Sequence, residues 1–341
     1  MGAEPGDTKL IDVARRAGCS PATVSRVLND NPTVGTDVRE RVKKAAIELG
    51  YVFNGSARAL RSTKSRLVGA IIPTLGHAIY ATMVDGLQTR LAEKGVSLII
   101  STSMYDIDLE FDQVRLLIER GVESIVLVGS KHRPNTLGLL EQRGITYVFT
   151  YASEATTNGA AIGFDNAKAG RAAARFLLDL GHVRLGMLAG ITHDNDRAQH
   201  RVDGFLEEIT RQGIETAAIP VVECPYTIEA GKLATKSLLA KPRPPTALFC
   251  GSDILAAGAL KYCHDHGVNV PQDVSVLGFD NLEIAELTTP ELTTLEVPAH
   301  DMGRLAAEYI LASPPQKTHL RQRELAIRLV VRGSTGPMGR N

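Results

Sequence analysis

The chain of 341 residues has no net charge at neutral pH, because 38 lysines and arginines balance 38 aspartates and glutamates. This balance argues against a protein that coats nucleic acid with its whole surface. No apolar stretch approaches the ~20 residues of a membrane span, and the first seven residues lack the basic region and apolar run of a signal peptide. We therefore expect a cytoplasmic protein.

Cysteine is scarce, and the common motifs of enzyme chemistry are missing. The four cysteines (Cys19, Cys224, Cys250 and Cys263) show no CxxC pair or metal-ligand spacing, so we expect reduced, packed thiols. His264 and His266 look metal-like but are two positions apart and do not share a helix face. There is no Gly-x-Ser-x-Gly elbow, phosphate-binding loop or dinucleotide fingerprint. We expect no catalytic residue, cofactor or metal, although composition alone does not exclude a carboxylate-pair enzyme.

The charges are unevenly distributed along the chain. Residues 8–66 contain twelve lysines and arginines against five acidic residues, whereas residues 67–341 contain 26 basic and 31 acidic residues. A basic head on an acidic body is expected if only the head meets the phosphates of nucleic acid. A basic surface that is merely solvated is the alternative interpretation.

A short helix with one apolar stripe and one polar face is predicted from Ser20 to Asn29. Ser20 can cap this helix, and Pro21 suits its first position. Its apolar residues recur at helical spacing on one side: Val24, Val27 and Leu28. The opposite face keeps polar or small residues, namely Ala22, Ser25, Arg26 and Asn29. Such a face is suited to read another molecule.

Two further helices are predicted around this one. Upstream, the stripe of Leu10, Val13 and Ala14 is separated from the polar-faced helix by Ala17-Gly18-Cys19, the arrangement of a helix-turn-helix. Downstream, Thr36 can cap a third helix that ends before Gly50. The three helices predict an all-α head that reads DNA. The small, basic segment after them has one large apolar residue, Leu60, and predicts a linker with a conditional helix.

From Leu67 onwards the pattern changes to apolar runs that alternate with amphipathic segments. The runs are Leu67–Ile72, Val96–Ser101, Ser124–Val128, Thr146–Thr150, Ala160–Gly163, Arg184–Leu188, Pro220–Glu223, Ala247–Cys250 and Ser275–Gly278. Strands alternating with helices predict parallel sheets. Because the rhythm restarts near residue 160, we expect two similar α/β lobes, with the last helix returning to the first lobe.

Polar residues that follow these apolar runs are candidates for ligand binding, since ligands of such sheets bind beyond the carboxyl ends of the strands. Asp165, Asp253 and Asp280 each follow a predicted strand, and a polar loop after another strand contains Arg197 and leads to Arg201. Such acceptors and donors suit a polyhydroxylated or anionic small molecule. The alternative is that Asp253 and Asp280 only cap the following helices, or that Arg201 is tied to an aspartate.

An ordered set of motifs runs through the chain. In the head these are Asp12-Val13-Ala14, Ala17-Gly18-Cys19-Ser20, Thr23 to Asn29, Leu49-Gly50-Tyr51 and Ala57-Arg58-Ala59-Leu60. In the body they are Leu180-Gly181-His182, Pro245-Thr246-Ala247, Ser252-Asp253, Val270 to Val276, Gly278 to Asn281 and Leu292-Thr293-Thr294. With them the chain resembles the lactose/galactose repressor (LacI/GalR) family of bacterial transcription regulators over nearly its full length.

The resemblance implies a dimer, or a tetramer built on it, whose second helices enter successive major grooves of a near-palindromic double-stranded operator. It assigns base reading to Pro21, Ala22 and Arg26, of which Arg26 can engage guanine bidentately. Phosphate contacts are implied for Ser20, Thr23, Ser25 and Asn29. One departure is that Lys9, not threonine, directly precedes the first helix, with Thr8 one position earlier. The resemblance therefore leaves the cap of this helix open.

The basic linker matches the hinge of the family, with Ala57, Arg58 and Leu60 as implied DNA contacts. The resemblance implies that Leu60 inserts from both subunits into the minor groove at the operator centre, where an apolar wedge kinks the duplex. It also implies a hinge helix that orders only on DNA. Packing of Leu60 on its own domain is the alternative.

For the effector the resemblance implies a periplasmic-binding-protein-like, two-lobed α/β body with the ligand between the lobes. It points to Ile79, Tyr80, Arg201, Tyr226, Asp253 and Asp280, with Arg197 and Asp165 as additional candidates. The family usually has two aromatic residues where this chain has Ile79-Tyr80. One aromatic fewer weakens the case for a stacked purine and favours a sugar or sugar acid.

These inferences together predict a ligand-responsive, DNA-binding repressor. The expected divisions are a helix-turn-helix domain (8–54), a hinge (55–66), an N-terminal lobe (67–165 and 298–326) and a C-terminal lobe (166–297 and 327–333). A sugar-binding protein of the export pathway is disfavoured by the missing signal peptide and the basic head. A two-lobed cytosolic enzyme would need a catalytic constellation that the sequence does not show.

Overall fold

The computed structural model describes residues 8–28, 31–52 and 65–339. The chain forms two compact units, a head up to Ser65 and a body from Arg66 onwards. The head is all-α, and the body is a two-lobed α/β structure, so the expected fold class is confirmed. Within the described residues, no helix combines the length and apolar character that crossing a membrane requires.

Three short helices make up the described part of the head: α1 (Leu10–Ala17), α2 (Pro21–Leu28) and α3 (Thr36–Glu48). Gly18 ends α1 at φ +63°, a left-handed conformation that glycine adopts without strain, and the chain turns there towards α2. The predicted cap by Ser20 is confirmed, because its Oγ accepts the N–H of Thr23 at 3.1 Å. The core of the head is small and includes the fully buried Val13, Val24 and Val42.

Two caps of the head differ from expectation. The prediction that Thr36 caps α3 is wrong, because Thr36 is already helical and Gly35, which has no side chain to cap with, occupies the N-cap position. No side-chain oxygen caps α1 from Lys9; instead the Lys9 N–H donates to Asp12 Oδ2 at 3.0 Å. Thr8 donates its hydroxyl to the carbonyl of Leu49 at 3.1 Å and so ties the start of α1 to the end of α3.

The body begins with one βα series and continues with a second. The first comprises β1 (Leu67–Ile72), α4 (Ala78–Ala92), β2 (Ser97–Thr102), α5 (Ile107–Glu119), β3 (Ser124–Val128), α6 (Pro134–Gln142), β4 (Thr146–Thr150) and β5 (Ala160–Gly163). The second comprises α7 (Asn166–Asp179), β6 (Leu185–Gly190), α8 (Asp196–Arg211), β7 (Val221–Cys224), α9 (Ile228–Leu239), β8 (Ala247–Cys250), α10 (Asp253–Asp265), β9 (Ser275–Asp280), α11 (Ile284–Leu287) and β10 (Thr293–Glu296). The chain ends with α12 (Ala299–Leu311), α13 (Pro314–Leu320), β11 (Gln322–Glu324) and β12 (Arg328–Val330).

Each lobe is built on one six-stranded sheet. The strand order is β11-β5-β4-β3-β1-β2 in the first lobe and β12-β10-β9-β8-β6-β7 in the second. The strand pairs are parallel except for β10 with β12, which is antiparallel. The central strands β3 and β8 are buried along their whole length, as expected for sheets covered on both faces.

The chain crosses between the lobes three times, after β5, after β10 and after β11. The second crossing returns α12 to the first lobe, where it packs closely on α4, as the sequence predicts. Close packing is possible because the Gly303 Cα faces the α4 backbone, and a Cβ there would lie 1.9 Å from the carbonyl oxygen of Met83. Strands β6 and β9 extend two residues beyond the predicted ends, so Asp280 closes its strand instead of following it.

Candidate DNA-reading face and ligand cleft

The exposed face of α2 carries the described residues that the family resemblance assigns to DNA. Ser20, Pro21, Ala22 and Arg26 are exposed in the head, and Thr23 and Ser25 are half-buried. The hydroxyls of Ser20 and Thr23 lie 3.0 Å apart at the start of the helix. On the other side of α2 the valines are buried in the head core. One face of the helix is thus fixed by packing, and the other is exposed.

Arg26 differs from neighbouring arginines of the head. Three of those are ion-paired within the head: Arg15 with Asp12 at 3.3 Å, Arg16 with Glu48 at 2.7 Å and Arg41 with Asp37 at 3.7 Å. The Arg26 guanidinium has no ion pair or side-chain hydrogen bond in the described part of the chain. Its donors are therefore uncommitted within the described residues, and their fork geometry matches O6 and N7 of guanine.

Four other residues assigned to DNA by the resemblance are Asn29, Ala57, Arg58 and Leu60. They lie outside the described residues.

A narrow cleft separates the two lobes of the body at the carboxyl ends of the strands. It brings together six of the eight effector candidates: Ile79, Tyr80, Arg197, Arg201, Tyr226 and Asp280. The free space in the cleft is about 40 Å³, enough for a few water molecules. The two lobes therefore stand in a closed arrangement that a sugar-sized ligand does not fit without movement.

Arg201 projects from α8 into the cleft and is buried. One terminal nitrogen donates to Asn166 Oδ1 at 2.5 Å, and the other to the Tyr226 hydroxyl at 3.3 Å. Its guanidinium carbon lies 4.6 Å from the centre of the Phe279 ring. Its Nε is buried and has no hydrogen-bond partner among the described residues. An unpaired buried donor is costly, so this nitrogen favours a ligand acceptor in the cleft.

Asp280 is the carboxylate that lines the cleft. Burial raises its pKa well above the usual range, and the nearby Asp253 adds to this, while Arg201 and the Ser252 hydroxyl act in the opposite direction. Its backbone has φ +110°, which is rare for a residue with a side chain and is held by the end of β9. Helix α11, which follows, begins after Glu283, so the alternative that Asp280 caps it is wrong.

Asp253 does not line the cleft, in contrast to the expectation. It is fully buried behind the end of β9, where its carboxylate accepts the Thr294 hydroxyl at 2.6 Å and the Leu282 N–H at 2.7 Å. Burial raises the pKa of Asp253 to about 6, although these hydrogen bonds act to lower it. The capping alternative is also wrong, because Ser252 caps α10 through the Ile254 N–H. Asp253 instead braces the segment that presents Asp280.

Asp165 is also absent from the cleft wall. Its Oδ1 accepts the N–H groups of Ala167 and Lys168 at 2.8 and 3.0 Å, and it caps α7. It lies on a second cavity of about 520 Å³ beside the cleft, together with Arg171 and Asp196. The strand-end position that made Asp165 a candidate is therefore occupied by a helix cap.

The cleft is rich in rings that sequence reasoning missed. His77, Tyr105, Tyr151, Phe164 and Phe279 line it beside Tyr80 and Tyr226. The ring of His77 lies 5.3 Å from that of Tyr226, and its Nδ1 lies 3.1 Å from the Tyr105 hydroxyl. Burial raises the pKa of Tyr105 and Tyr226, so both keep their protons as donors at neutral pH. The single aromatic at Ile79-Tyr80 thus does not leave the cleft short of rings.

One signal would have identified part of this set. Tyr151 directly follows β4, and Tyr105 follows β2 by three residues, so the strand-end rule applies to them as it does to the aspartates. His77 and Asn195 each precede a helix that points at the cleft, and Asn195 caps α8. Whether His77 and Asn195 reach the cleft depends on how the two lobes close, which the sequence does not reveal. No group of three or more His, Cys, Asp or Glu side chains in the described ranges is placed to hold a metal ion.

Comparison with known proteins gives two family matches. The model of bacterial regulatory proteins of the lacI family matches residues 9–54, and that of the periplasmic binding protein-like domain matches residues 174–335. Over 331 residues the chain is 32% identical to the HTH-type transcriptional repressor CytR of Escherichia coli K12, with 95% of each chain covered.

Solved structures agree with these matches. A LacI family transcriptional regulator from Silicibacter pomeroyi is similar at a TM-score of 0.88 and 26% identity, covering 97% of this chain and all of that one. The lac repressor dimer, crystallised with operator and the anti-inducer ONPF, is similar at a TM-score of 0.83 and 26% identity, with the same coverage.

Proposed function

The chain belongs to the LacI family of bacterial regulatory proteins, and from this premise we propose that it is a repressor that acts as a dimer on a near-palindromic operator. We further propose that a small sugar or sugar acid binds between its lobes. As a family member it is a DNA-binding transcription regulator, and its sequence shows no catalytic motif that would favour an enzyme. Its place of action is the cytoplasm, where the operator is.

The observation that carries the DNA-reading part is the Arg26 guanidinium, exposed on α2 and without a partner in the described residues, whereas nearby arginines are ion-paired. Arg26 is the base reader in this proposal, and Pro21 and Ala22 add apolar contacts, for example to a thymine methyl. Ser20, Thr23, Ser25 and Asn29 hold phosphates and set the register. Dimerisation is supported by the similar lac repressor dimer on its operator.

Residues 8–54 form the reading domain in this proposal, and 55–66 the hinge. Leu60 inserts into the minor groove at the operator centre, and Ala57 and Arg58 contact the DNA backbone beside it. A wedge of this kind costs a few kcal/mol of unstacking and is offset by the additional contacts of the bent duplex. Replacement of Leu60 by alanine straightens the operator in a circular-permutation gel assay; equal bending by both proteins contradicts the wedge.

The cleft supports a small ring-shaped ligand rich in hydroxyls. Asp280 supplies an acceptor, the unpaired Nε of Arg201 a donor, and Tyr105 and Tyr226 protonated hydroxyls. Aromatic walls at Tyr80 and His77 pack on the apolar faces of a sugar. The same walls favour a second candidate, a sugar that carries a flat base.

Two experiments test the proposal on the full chain. Selection from a randomised duplex library should yield an inverted repeat, and sedimentation should show two copies of the chain bound to it. If no sequence is enriched, the proposed role as a DNA-binding regulator is contradicted. A thermal-shift screen over sugars, sugar acids, nucleosides and purines identifies the ligand class, because a ligand at one hundred times its Kd adds about 2.7 kcal/mol of stability. Steady turnover of a ligand in the same screen indicates an enzyme instead.

A further inference from the structure

The two lobes are fastened to each other by the first residues of α8. Asp196 Oδ2 accepts both the N–H and the hydroxyl of Ser130 at 2.7 Å, and Ser130 follows β3 in the opposite lobe. Arg197 donates to the carbonyl of Val128 at 3.1 Å, at the end of the same strand. Asp196 and Arg197 pair with each other at 2.8 Å. Three of these contacts cross between the lobes, and the Asp196–Arg197 pair within α8 links them to each other; we call the four contacts the clasp.

Burial and backbone conformation show how closely the clasp is fitted. Both Asp196 and Arg197 are buried. Gly129 sits between Val128 and Ser130 at φ +88°, and a Cβ there would lie 2.1 Å from Arg197 Nη1 and 2.5 Å from Asp196 Oδ1. A residue with a side chain at position 129 would thus collide with both members of the ion pair. The end of β3 is shaped to receive them.

Asp196 and Arg197 face different spaces. Arg197 lines the cleft, whereas Asp196 lines the second cavity of about 520 Å³ on the other side of the clasp. The Arg197 guanidinium is one of the groups that leave only about 40 Å³ free in the cleft. A ligand that enters the cleft therefore meets the clasp directly.

We propose that Asp196 is a positioning residue that stabilises the closed arrangement of the lobes and holds the Arg197 guanidinium in the cleft, so that ligand binding and lobe closure are coupled through one ion pair. This inference rests on the proposed function for the meaning of the cleft. Although burial acts to raise it, the Arg197 guanidinium and the two Ser130 donors lower the pKa of Asp196. The clasp is therefore charged and formed at neutral pH.

Adjacent backbone amides allow a direct test. The N–H of Ser130 donates across the lobes to Asp196, whereas the N–H of Gly129 donates to Thr150 within its own lobe at 2.8 Å. We expect Asp196→Ala to speed hydrogen exchange at Ser130 by about ten- to one-hundredfold, the loss of a hydrogen bond to a charged group. Exchange at Gly129 stays unchanged. Single-amide resolution by electron-transfer mass spectrometry makes this comparison.

Two further variants complete the experiment. Asp196→Asn keeps an acceptor for Ser130 but loses the charge that pairs with Arg197, so its exchange at Ser130 lies between the other two proteins. Asp203→Asn removes a carboxylate from the exposed side of the same helix and leaves Ser130 unchanged. Unchanged exchange in Asp196→Ala, or equal acceleration at Gly129 and Ser130, overturns the clasp.

Tyrosine fluorescence measures the consequence for the cleft. The chain has no tryptophan and eight tyrosines, and Tyr80, Tyr105, Tyr151 and Tyr226 line the cleft. We expect Asp196→Ala to increase quenching by acrylamide, while Asp203→Asn does not. Equal quenching in all variants refutes the coupling. Neither measurement uses operator or effector, so failure of the clasp is distinct from failure of the proposed function, which would show as absent operator selection.

Discussion

The reading face of the head and the cleft of the body both rely on arginine, in opposite environments. Arg26 is exposed and uncommitted among the described residues, whereas Arg197 and Arg201 are buried and already bonded to Asp196, Asn166 and Tyr226. A side chain that meets a polyanion needs free donors and gains from steering in water. One that discriminates a small molecule needs a fixed position in a dry site. We therefore expect mutation of Arg26 to weaken operator binding alone, and mutation of the cleft residues to weaken effector binding alone.

The largest effect is expected from pH in the body. Burial raises the pKa of Asp253 to about 6, so the folded body binds a proton more tightly than the unfolded chain. The protonated Asp253 side chain contributes up to about 3 kcal/mol to the free energy of unfolding. This contribution is fully present below the unfolded pKa near 4 and is lost as pH rises through about 6. The unfolding free energy of the wild type should therefore fall between pH 4 and 7 relative to that of Asp253→Asn. Parallel urea profiles for the two proteins contradict this.

Asp280→Ala sharpens the comparison at the cleft. Among the described residues it removes the one aspartate on the cleft wall, and leaving a buried hydrogen-bond partner of the effector unsatisfied costs about 1–3 kcal/mol of effector affinity. Operator binding without effector stays intact, because Arg26 belongs to the other unit. Calorimetry with the ligand from the thermal-shift screen makes the measurement, and a normal Kd rules out the role of Asp280.

Arg26→Ala tests the head. The expected loss is about 1–3 kcal/mol at one base pair, with relaxed preference there. Arg15→Ala is the matched control, since Arg15 is also exposed but is paired with Asp12 at 3.3 Å. It should weaken binding uniformly or not at all. If selected sites keep the same base preference with Arg26→Ala, another residue reads that position.

The smallest effect is expected from the cap of α2. Ser20→Ala removes the oxygen that accepts the Thr23 N–H and should destabilise the head by about 1 kcal/mol. Ser20→Gly should cost only a few tenths of a kcal/mol. Amide exchange in α2 distinguishes the two, and the unfolding of the body is unaffected by either. An equal loss in both variants contradicts the capping role of Ser20, since glycine is a far better N-cap than alanine.

Sequence reasoning identified the three helices of the head and nine of the twelve described strands, and six of its eight effector candidates line the cleft, of which Ile79, Tyr80 and Tyr226 came from the family resemblance alone. It succeeded because hydrophobic spacing and strand-end position are local properties, as with Val24 and Val27 in α2 or Asp280 at the end of β9. It misplaced Asp165 and Asp253, since a carboxylate after a strand can equally cap a helix or brace a loop. The choice depends on which N–H groups and hydroxyls lie nearby, here those of Ala167 and Thr294.

The sequence by itself determined the helix-turn-helix head, the two α/β lobes and the family. Turn residues, apolar periodicity and ordered motifs act over short distances along the chain. Only the tertiary structure decided that Arg26 has no ion pair among the described residues while Arg15 and Arg16 are paired, that seven described rings line the cleft, and that Asp196 holds Ser130 across the lobes. Most of these contacts join residues that are far apart along the chain, as Ser130 and Asp196 are. The energy of each contact depends on burial and orientation, which a local sequence pattern does not record.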